Sequence, residues 1–270
     1  MLDLFKSSGL KVVLTDENKL KFDTSLGGGE ESARKLFDLN DVRMSMDNFG
    51  ENRDLYYMYR NVHRPEDESL IVSNHLRYDM TVILPGMIGE EYTKTLGHYH
   101  PDKSNQKISY PEVYEVISGR AFYLLQKPKR TADGFDFGII EEAILVEVKA
   151  GEKAVMPPDF GHITINMDTE PLVMSNWVCG DFQSDYSEIK NYKGGCYYIV
   201  KDENSYKAIK NEKYSQVPEL KIMTPKELEQ FALSFSQPMY EAGIGDIVKL
   251  KYLESPEAFK DQLDPKKVFV

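Results

Sequence analysis

The chain has five histidines, His63, His75, His98, His100 and His162, and two of them form the triplet His98-Tyr99-His100. Residues two apart on a strand share a face, so these two imidazoles can converge on one ion. That fragment alone is also explained by a hydrogen-bonded core or surface pair. Its downstream context changes the weighing. Glu112 is followed by six residues and Gly119, and Gly151 by five residues and Pro157; Gly161-His162 then precede Asn166. If strands of a small barrel bring His98, His100, Glu112 and His162 together, three imidazoles and one carboxylate face a single point. Such a set suits a divalent transition metal (iron first, with manganese, nickel, cobalt or zinc as alternatives) and leaves positions open for substrate. No cysteine belongs to the set, which argues against a closed structural zinc site.

The elements needed to position these groups are strands. Met80 to Leu84 runs into Pro85-Gly86, a turn signal. Glu112 to Ile117 and Ala121 to Gln126 flank Ser118-Gly119-Arg120 and read as a hairpin with glycine at its bend. Ala143 to Val148, Ala154 to Met156, His162 to Asn166 and Leu172 to Val178 follow, with Gly, Pro and Asp between them. Short strands at this spacing predict a β-sandwich or barrel, and the absence of strand–helix alternation disfavours a doubly wound parallel sheet. Outside this region, Glu30 to Asp38 predicts a short helix, and Gly27-Gly28-Gly29 a flexible connector. No Gly-Lys-Ser/Thr follows those glycines, so a phosphate loop is not expected. Thr224-Pro225 before KELEQFALSF predicts a capped helix in an α-rich C-terminal extension. The organisation expected is an N-terminal arm (1–50), a barrel (51–215) and the extension (216–270).

Composition bounds the partners. The chain has 270 residues, with 33 Lys+Arg against 44 Asp+Glu and a net charge of −11. With 41% hydrophobic and 29% charged residues it is expected to be an ordinary globular protein. Nucleic acid is disfavoured as a partner because phosphate backbones demand clustered positive charge. A small phosphorylated metabolite needs only a few local donors and is not excluded. No uncharged apolar run approaches the roughly 20 residues that span a bilayer, so no membrane role is expected. The start lacks signal-peptide character, and Cys179 and Cys196 read as two buried free thiols. The expected location is the cytoplasm.

The two histidine-bearing blocks resemble the two motifs of the cupins, the jelly-roll or double-stranded β-helix barrels. Two departures stand out: eleven residues separate His100 from Glu112, where cupins have only a few, and Asp159 stands where the second motif has glycine. Pro101 to Pro111 is therefore read as a loop insertion, either a partial lid or a longer hairpin. More narrowly, the segments Met80–Gly86, Ile88-Gly89, Thr95–His100, Pro111–Tyr114, Pro157-Pro158, Gly161–Asn166 and Asp185-Tyr186 resemble the cupin-type glucose-6-phosphate isomerases known mainly from archaea. That likeness spans about residues 30 to 205 and leaves the C-terminal extension without a counterpart.

The resemblance implies a homodimeric, metal-dependent isomerase interconverting glucose 6-phosphate and fructose 6-phosphate, at the junction of glycolysis and gluconeogenesis. It implies His98, His100, Glu112 and His162 as metal ligands, with Glu112 also serving as the catalytic base or, if hydride shifts directly between the carbons, merely orienting. By position in the family pattern, the phosphate would meet the hydroxyls of Thr81 and Thr95, the backbone of Gly97, and the phenols of Tyr56 and Tyr186, while Tyr114 would contact the sugar. Each has a plainer reading: Thr81 as a strand residue, Gly97 as a bend, Tyr56 as one of a core aromatic cluster, Tyr114 as packing on the barrel wall. Val178 and Ser184 stand where the family pattern has tyrosine and histidine, which bears on the sugar side of the pocket. His63 and His75 fall outside the motifs and read as surface or structural. Two other classes fit the same centre: a cupin dioxygenase and a non-catalytic sugar-phosphate-binding cupin.

Overall fold

The computed structural model describes residues 1–45, 51–203 and 205–270. Its strands are β1 (Leu2–Asp3), β2 (Val12–Leu14), β3 (Leu20–Phe22), β4 (Glu30–Lys35), β5 (Asp54–Arg60), β6 (Leu76–Ile83), β7 (Met87–Ile88), β8 (Glu91–Lys94), β9 (Glu112–Ser118), β10 (Arg120–Thr131), β11 (Gly134–Lys149), β12 (Lys153–Met156), β13 (Gly161–Asn166), β14 (Leu172–Cys179), β15 (Tyr197–Asp202), β16 (Ser205–Lys210) and β17 (Lys221–Met223). Short helices intervene: α1 (Phe5–Ser8), α2 (Glu68–Ser73), α3 (Ser187–Asn191), α4 (Met239–Gly245) and α5 (Pro265–Val268).

Among the described residues two large sheets form. One runs β12-β9-β14-β6-β5-β4, the other β16-β15-β8-β13-β10-β11-β17, with β7 on β8; β1, β2 and β3 form a small third sheet. Apart from the parallel β11–β17 pair, the ladders of the two large sheets are antiparallel. Alternation decides which side chains face where. On β10, Tyr123 and Leu125 join the main core between the sheets, while Phe122 and Leu124 join a second apolar cluster with Ile163, Ile165 and Tyr197. Burial on both faces explains why Ala121 to Gln126 is a nearly continuous apolar run rather than an alternating one.

The C-terminal segment covers the outer face of the first sheet. Trp177 on β14 stacks on Tyr240 of α4 with ring centroids 5.7 Å apart, and its indole donates to Met239 O at 3.3 Å. Beside it, a fully buried ion pair joins Glu115 to Lys153 at 2.9 Å. Both partners also hold the extension's backbone: Lys153 donates to Gln237 O at 2.7 Å, and Glu115 accepts from Met239 N at 2.9 Å.

Four local expectations are corrected. Residues 30–35 form the edge strand β4, followed by a 3-10 helix over Leu36–Val42, and not a helix over 30–38. Pairing with the aromatic-rich β5 supplies a ladder that outweighs the local helix preference. The glycine run is not a loose connector either. Gly27 exchanges backbone bonds with His63, and Gly29 donates to Arg60 O at 2.8 Å. Strands β9 and β10 do not form a hairpin: they lie in different sheets, and Gly119 at φ +88° turns the chain from one to the other. The hairpin partner of β10 is β11, through the Ala132-Asp133 turn that the Thr131↔Gly134 pair closes. Finally, residues 225–234 do not form a capped helix; only a 3-10 turn at Glu229–Phe231 is present. The chain's last residues take the backbone instead, with Thr224 and Val270 exchanging two bonds and Lys226 donating to Val268 O. Glu227, within that stretch, accepts from Phe235 N at 2.6 Å. The extension is helical only in short pieces. No helix among the described residues is long and apolar enough to cross a membrane.

Removing one partner of the Glu115–Lys153 pair leaves a buried charge without compensation, at a cost of about 3–5 kcal/mol. Burial already pushes the Glu115 carboxyl up to about 7 from 4.5, against the opposing pull of Lys153. A carboxyl raised on folding keeps its stabilising contribution below the unfolded value and loses it as pH rises through the folded one. Lys153→Met is therefore expected to lower stability in urea unfolding, with a deficit that is smallest near pH 4.5 and grows toward pH 8. A pH-independent deficit would contradict this assignment.

Candidate metal centre

Each of the four groups singled out in the sequence is delivered by a different local device. Gly97 turns the chain at φ +81°, and a β-carbon there would come within 2.4 Å of Ile163 Cγ1. That turn lets His98 pair with His162 across an antiparallel bridge, with His98 N donating to His162 O at 3.3 Å and His162 N to His98 O at 3.1 Å. Glu112 opens β9 on the neighbouring sheet. His100 is held by its Nδ1, 2.9 Å from Tyr110 O, and by the Phe182 ring at 4.5 Å.

One ligand atom from each of His98, His100, Glu112 and His162 lies within 4.8 Å of all the others. The Nε2 atoms of His98 and His100 are 3.0 Å apart, and Glu112 Oε2 lies 3.2 Å from His162 Nε2 and 3.4 Å from His100 Nε2. Burial holds the His98 imidazole well below its ordinary value, with repulsion from His162 and His100 adding to it. Burial likewise lowers His100, to about 4, although Glu112 pulls the other way. For Glu112, burial opposes ionisation, but the His162 ring 3.2 Å away and the charge interaction with His100 outweigh it, and its carboxyl lies below the usual range. Neutral imidazoles and an ionised carboxylate are the forms that coordinate metal. A second observation shows the fit: Glu112 Oε2 is buried without a hydrogen-bond partner, while its Oε1 accepts from Asn176 Nδ2 at 2.6 Å. The free oxygen points into the cluster, where a cation would satisfy it.

The four groups line a cavity of about 370 Å³. All six of the other residues named from the sequence, Tyr56, Thr81, Thr95, Gly97, Tyr114 and Tyr186, line the same cavity. Tyr114 OH lies 3.4 Å from His162 Nε2, and Tyr56 OH accepts from Leu96 N at 3.3 Å. Thr95 Oγ1 accepts from Thr164 N at 3.0 Å, leaving its hydroxyl proton available. Val178 and Ser184 also line it, so the two departures from the family pattern fall on the cavity wall. His63 and His75 stay apart. His63 is buried with Nδ1 2.7 Å from Asn61 O, and His75 pairs with Asp181 on the surface at 2.7 Å. Both cysteines are free and buried.

The insertion between His100 and Glu112 is a small hairpin and not a lid: Asp102 bridges Ser109, and no residue of 101–111 lines the cavity. Asp159 takes the left-handed conformation (φ +71°) that glycine would adopt freely. Its side chain accepts from Ser109 N at 3.0 Å and Arg130 Nη2 at 2.7 Å, and so ties the hairpin to the second motif.

Sequence reading missed Arg60, Arg77 and Asn176, which also line the cavity. Asn176 holds Glu112, and the two arginines bring positive charge to the wall. The signal was present: counting back by two from Thr81 along β6 gives Asp79 and Arg77 on the same face. Which strand lay beside β6 was not visible, and without it the count pointed nowhere.

Two antiparallel sheets closing on a histidine-rich centre of this kind define a cupin with a candidate metal site. Residues 33–216 match the glucose-6-phosphate isomerase family, and the chain belongs to that family. Glucose-6-phosphate isomerase of Thermococcus kodakarensis is 26% identical over 191 residues, covering 70% of this chain and 90% of its own. The Thermococcus litoralis enzyme of that name is 28% identical over 198 residues (72% and 92%), and the Pyrococcus furiosus one 25% over 203 residues (73% and 96%). Among solved structures, an oxalate decarboxylase aligns with 52% of this chain and 29% of its own at 20% identity, with a TM-score of 0.32.

Asn176 is the outer support of the candidate ligand Glu112, and losing such a support typically weakens metal binding about 10–100-fold. Asn176→Leu is expected to raise the dissociation constant for Mn²⁺ by that factor in a chelator competition, with the fold intact by circular dichroism. An unchanged affinity would show that the 2.6 Å bond does not orient the carboxylate.

Proposed function

We propose that this aldose–ketose isomerase interconverts glucose 6-phosphate and fructose 6-phosphate in the cavity described above, with His98, His100, Glu112 and His162 holding one divalent metal, iron first. The observation that carries the reading is the convergence of these four groups in one cavity with hydroxyl, phenol and backbone donors suited to a phosphate. Thr81, Thr95 and Gly97 hold the phosphate, with Tyr56 and Tyr186 at its flank, and Tyr114 contacts the sugar chain. Short neutral donors suffice for one phosphate in a desolvated site.

Isomerisation moves a hydrogen from C2 to C1 while negative charge develops on the attached oxygens. A bound divalent ion supplies Lewis-acid stabilisation of that charge. Glu112 Oε2 leaves the ligand position as the substrate oxygens enter, takes the C2 proton and returns it at C1, while the O2 hydroxyl proton passes to O1. Asn176 steadies the carboxylate through Oε1. The Phe182 ring on His100 and the Tyr186 ring, 5.4 Å from His98, limit water at the reacting carbons. The same reading places the enzyme in the cytoplasm, supported by its two buried free thiols, and as a homodimer, the default for symmetric assembly.

Metal-loaded protein given fructose 6-phosphate and coupled to glucose-6-phosphate dehydrogenase is expected to produce NADPH. Glu112→Gln is expected to reduce that rate by about 10²–10⁴-fold, the usual worth of a general base. In D₂O, a proton route leaves deuterium at C1 or C2 of recovered sugar. Turnover without deuterium would replace Glu112's role by a direct hydride shift, and no NADPH above background would reject the isomerase reading itself.

A further inference from the structure

Behind the Arg60 and Arg77 side chains of the cavity wall lies a charged group that neither the candidate metal ligands nor the phosphate donors use. Asp79, on the inward face of β6, is buried, with its side chain 1% exposed. Its Oδ1 accepts from Asn61 N at 2.8 Å and from Arg77 Nε at 3.0 Å. Its Oδ2 accepts from the same Arg77 Nε at 2.9 Å and from Arg60 Nη1 at 2.6 Å. Both oxygens are filled, so the carboxylate is a fixed brace. Arg77 spends only its Nε on that brace. Among the described residues, neither of its Nη groups has a hydrogen-bond partner, and the side chain is 32% exposed on a residue that lines the cavity. Two guanidinium groups against one carboxylate leave a net charge of about +1 at this spot.

Register shows where that charge sits relative to the chemistry. Across three adjacent strands, Arg77 pairs with Val178 and Val178 with Glu112. Strands lie about 4.8 Å apart, so Arg77 and Glu112 are roughly 10 Å apart at the backbone. The short valine between them leaves the space above it to longer side chains. Thr81 lies four residues further along β6, about 13 Å from Arg77 at the backbone. The cavity therefore has polar donors at one end and a braced guanidinium at the other, beside the candidate metal ligands.

We infer that Arg77, held by Asp79, is a second anion-binding point of this cavity, taking the negative charge that a sugar 6-phosphate carries or develops at its C1 end. This rests on the sugar-phosphate reading above and adds a residue and a charge preference to it. A guanidinium whose position is already fixed loses little freedom on binding, and its two Nη groups form a fork that matches a carboxylate or an enediolate. Donors fixed in advance at a point of developing charge favour the charged form over the neutral one.

The test compares two ligands of equal length by calorimetry on metal-loaded protein: gluconate 6-phosphate, with a carboxylate at C1, and glucitol 6-phosphate, with a neutral alcohol there. The wild type is expected to prefer the acid. In Arg77→Met that preference falls by about tenfold or more, the worth of a hydrogen bond to a charged group, through weaker binding of the acid alone. Arg77→Lys, which keeps the charge and loses the fork, gives an intermediate preference and serves if the methionine variant fails to fold. Metal content and melting temperature are followed in each variant. If both variants keep the full preference, or weaken acid and alcohol equally, the inference is overturned while the sugar-phosphate reading stands. If the wild type binds neither ligand, the sugar-phosphate reading falls, and this inference with it.

Discussion

Three imidazole nitrogens and a carboxylate oxygen crowd one buried point in this protein, the closest pair 3.0 Å apart. A buried carboxylate oxygen without a donor is costly. A divalent cation would satisfy that oxygen and take the three imidazole nitrogens as ligands. Much of the surrounding architecture follows from having to bring those atoms together from distant parts of the chain. Gly97 makes the turn that pairs His98 with His162, Tyr110 O fixes the His100 ring, and Asn176 occupies the outer oxygen of Glu112. Each support acts on a candidate ligand and none competes for the centre.

The second constraint is strand parity. β9, β14 and β6 lie side by side, so every second residue on each faces the cavity. That one register places Glu112 and Tyr114, Asn176 and Val178, and Arg77, Asp79 and Thr81 on a single wall. The opposite face of the same sheet is largely apolar and packs on the C-terminal segment, where Trp177 meets Tyr240. Site and scaffold are thus two faces of one set of strands. The Glu115–Lys153 pair fastens the extension only three residues from Glu112. The residues beyond the family match therefore support the wall that carries the site.

What could be read in the sequence follows from how local each signal is. Strands such as Leu172–Cys179 and Gly161–Asn166 were legible because apolar runs between turn residues depend on nothing distant. The convergence of the four candidate ligands was legible because histidine is scarce here and its spacing is distinctive. The Glu112–Gln126 region misled because Ser118-Gly119-Arg120 carries turn chemistry whether the chain folds back or crosses to another sheet. Residues 225–234 misled because the competitor for their backbone, Val268 to Val270, lies more than thirty residues away. Arg77 and Asn176 were illegible for a similar reason: their positions acquire meaning only once the neighbouring strand and its register are known.

The most direct measurement is anomalous scattering from crystals grown with Mn²⁺ or Fe²⁺. The account predicts one strong peak per chain, bounded by the Nε2 atoms of His98, His100 and His162 and by Glu112 Oε2, absent in His162→Ala. No peak at that point, or an equal peak in the variant, would contradict it.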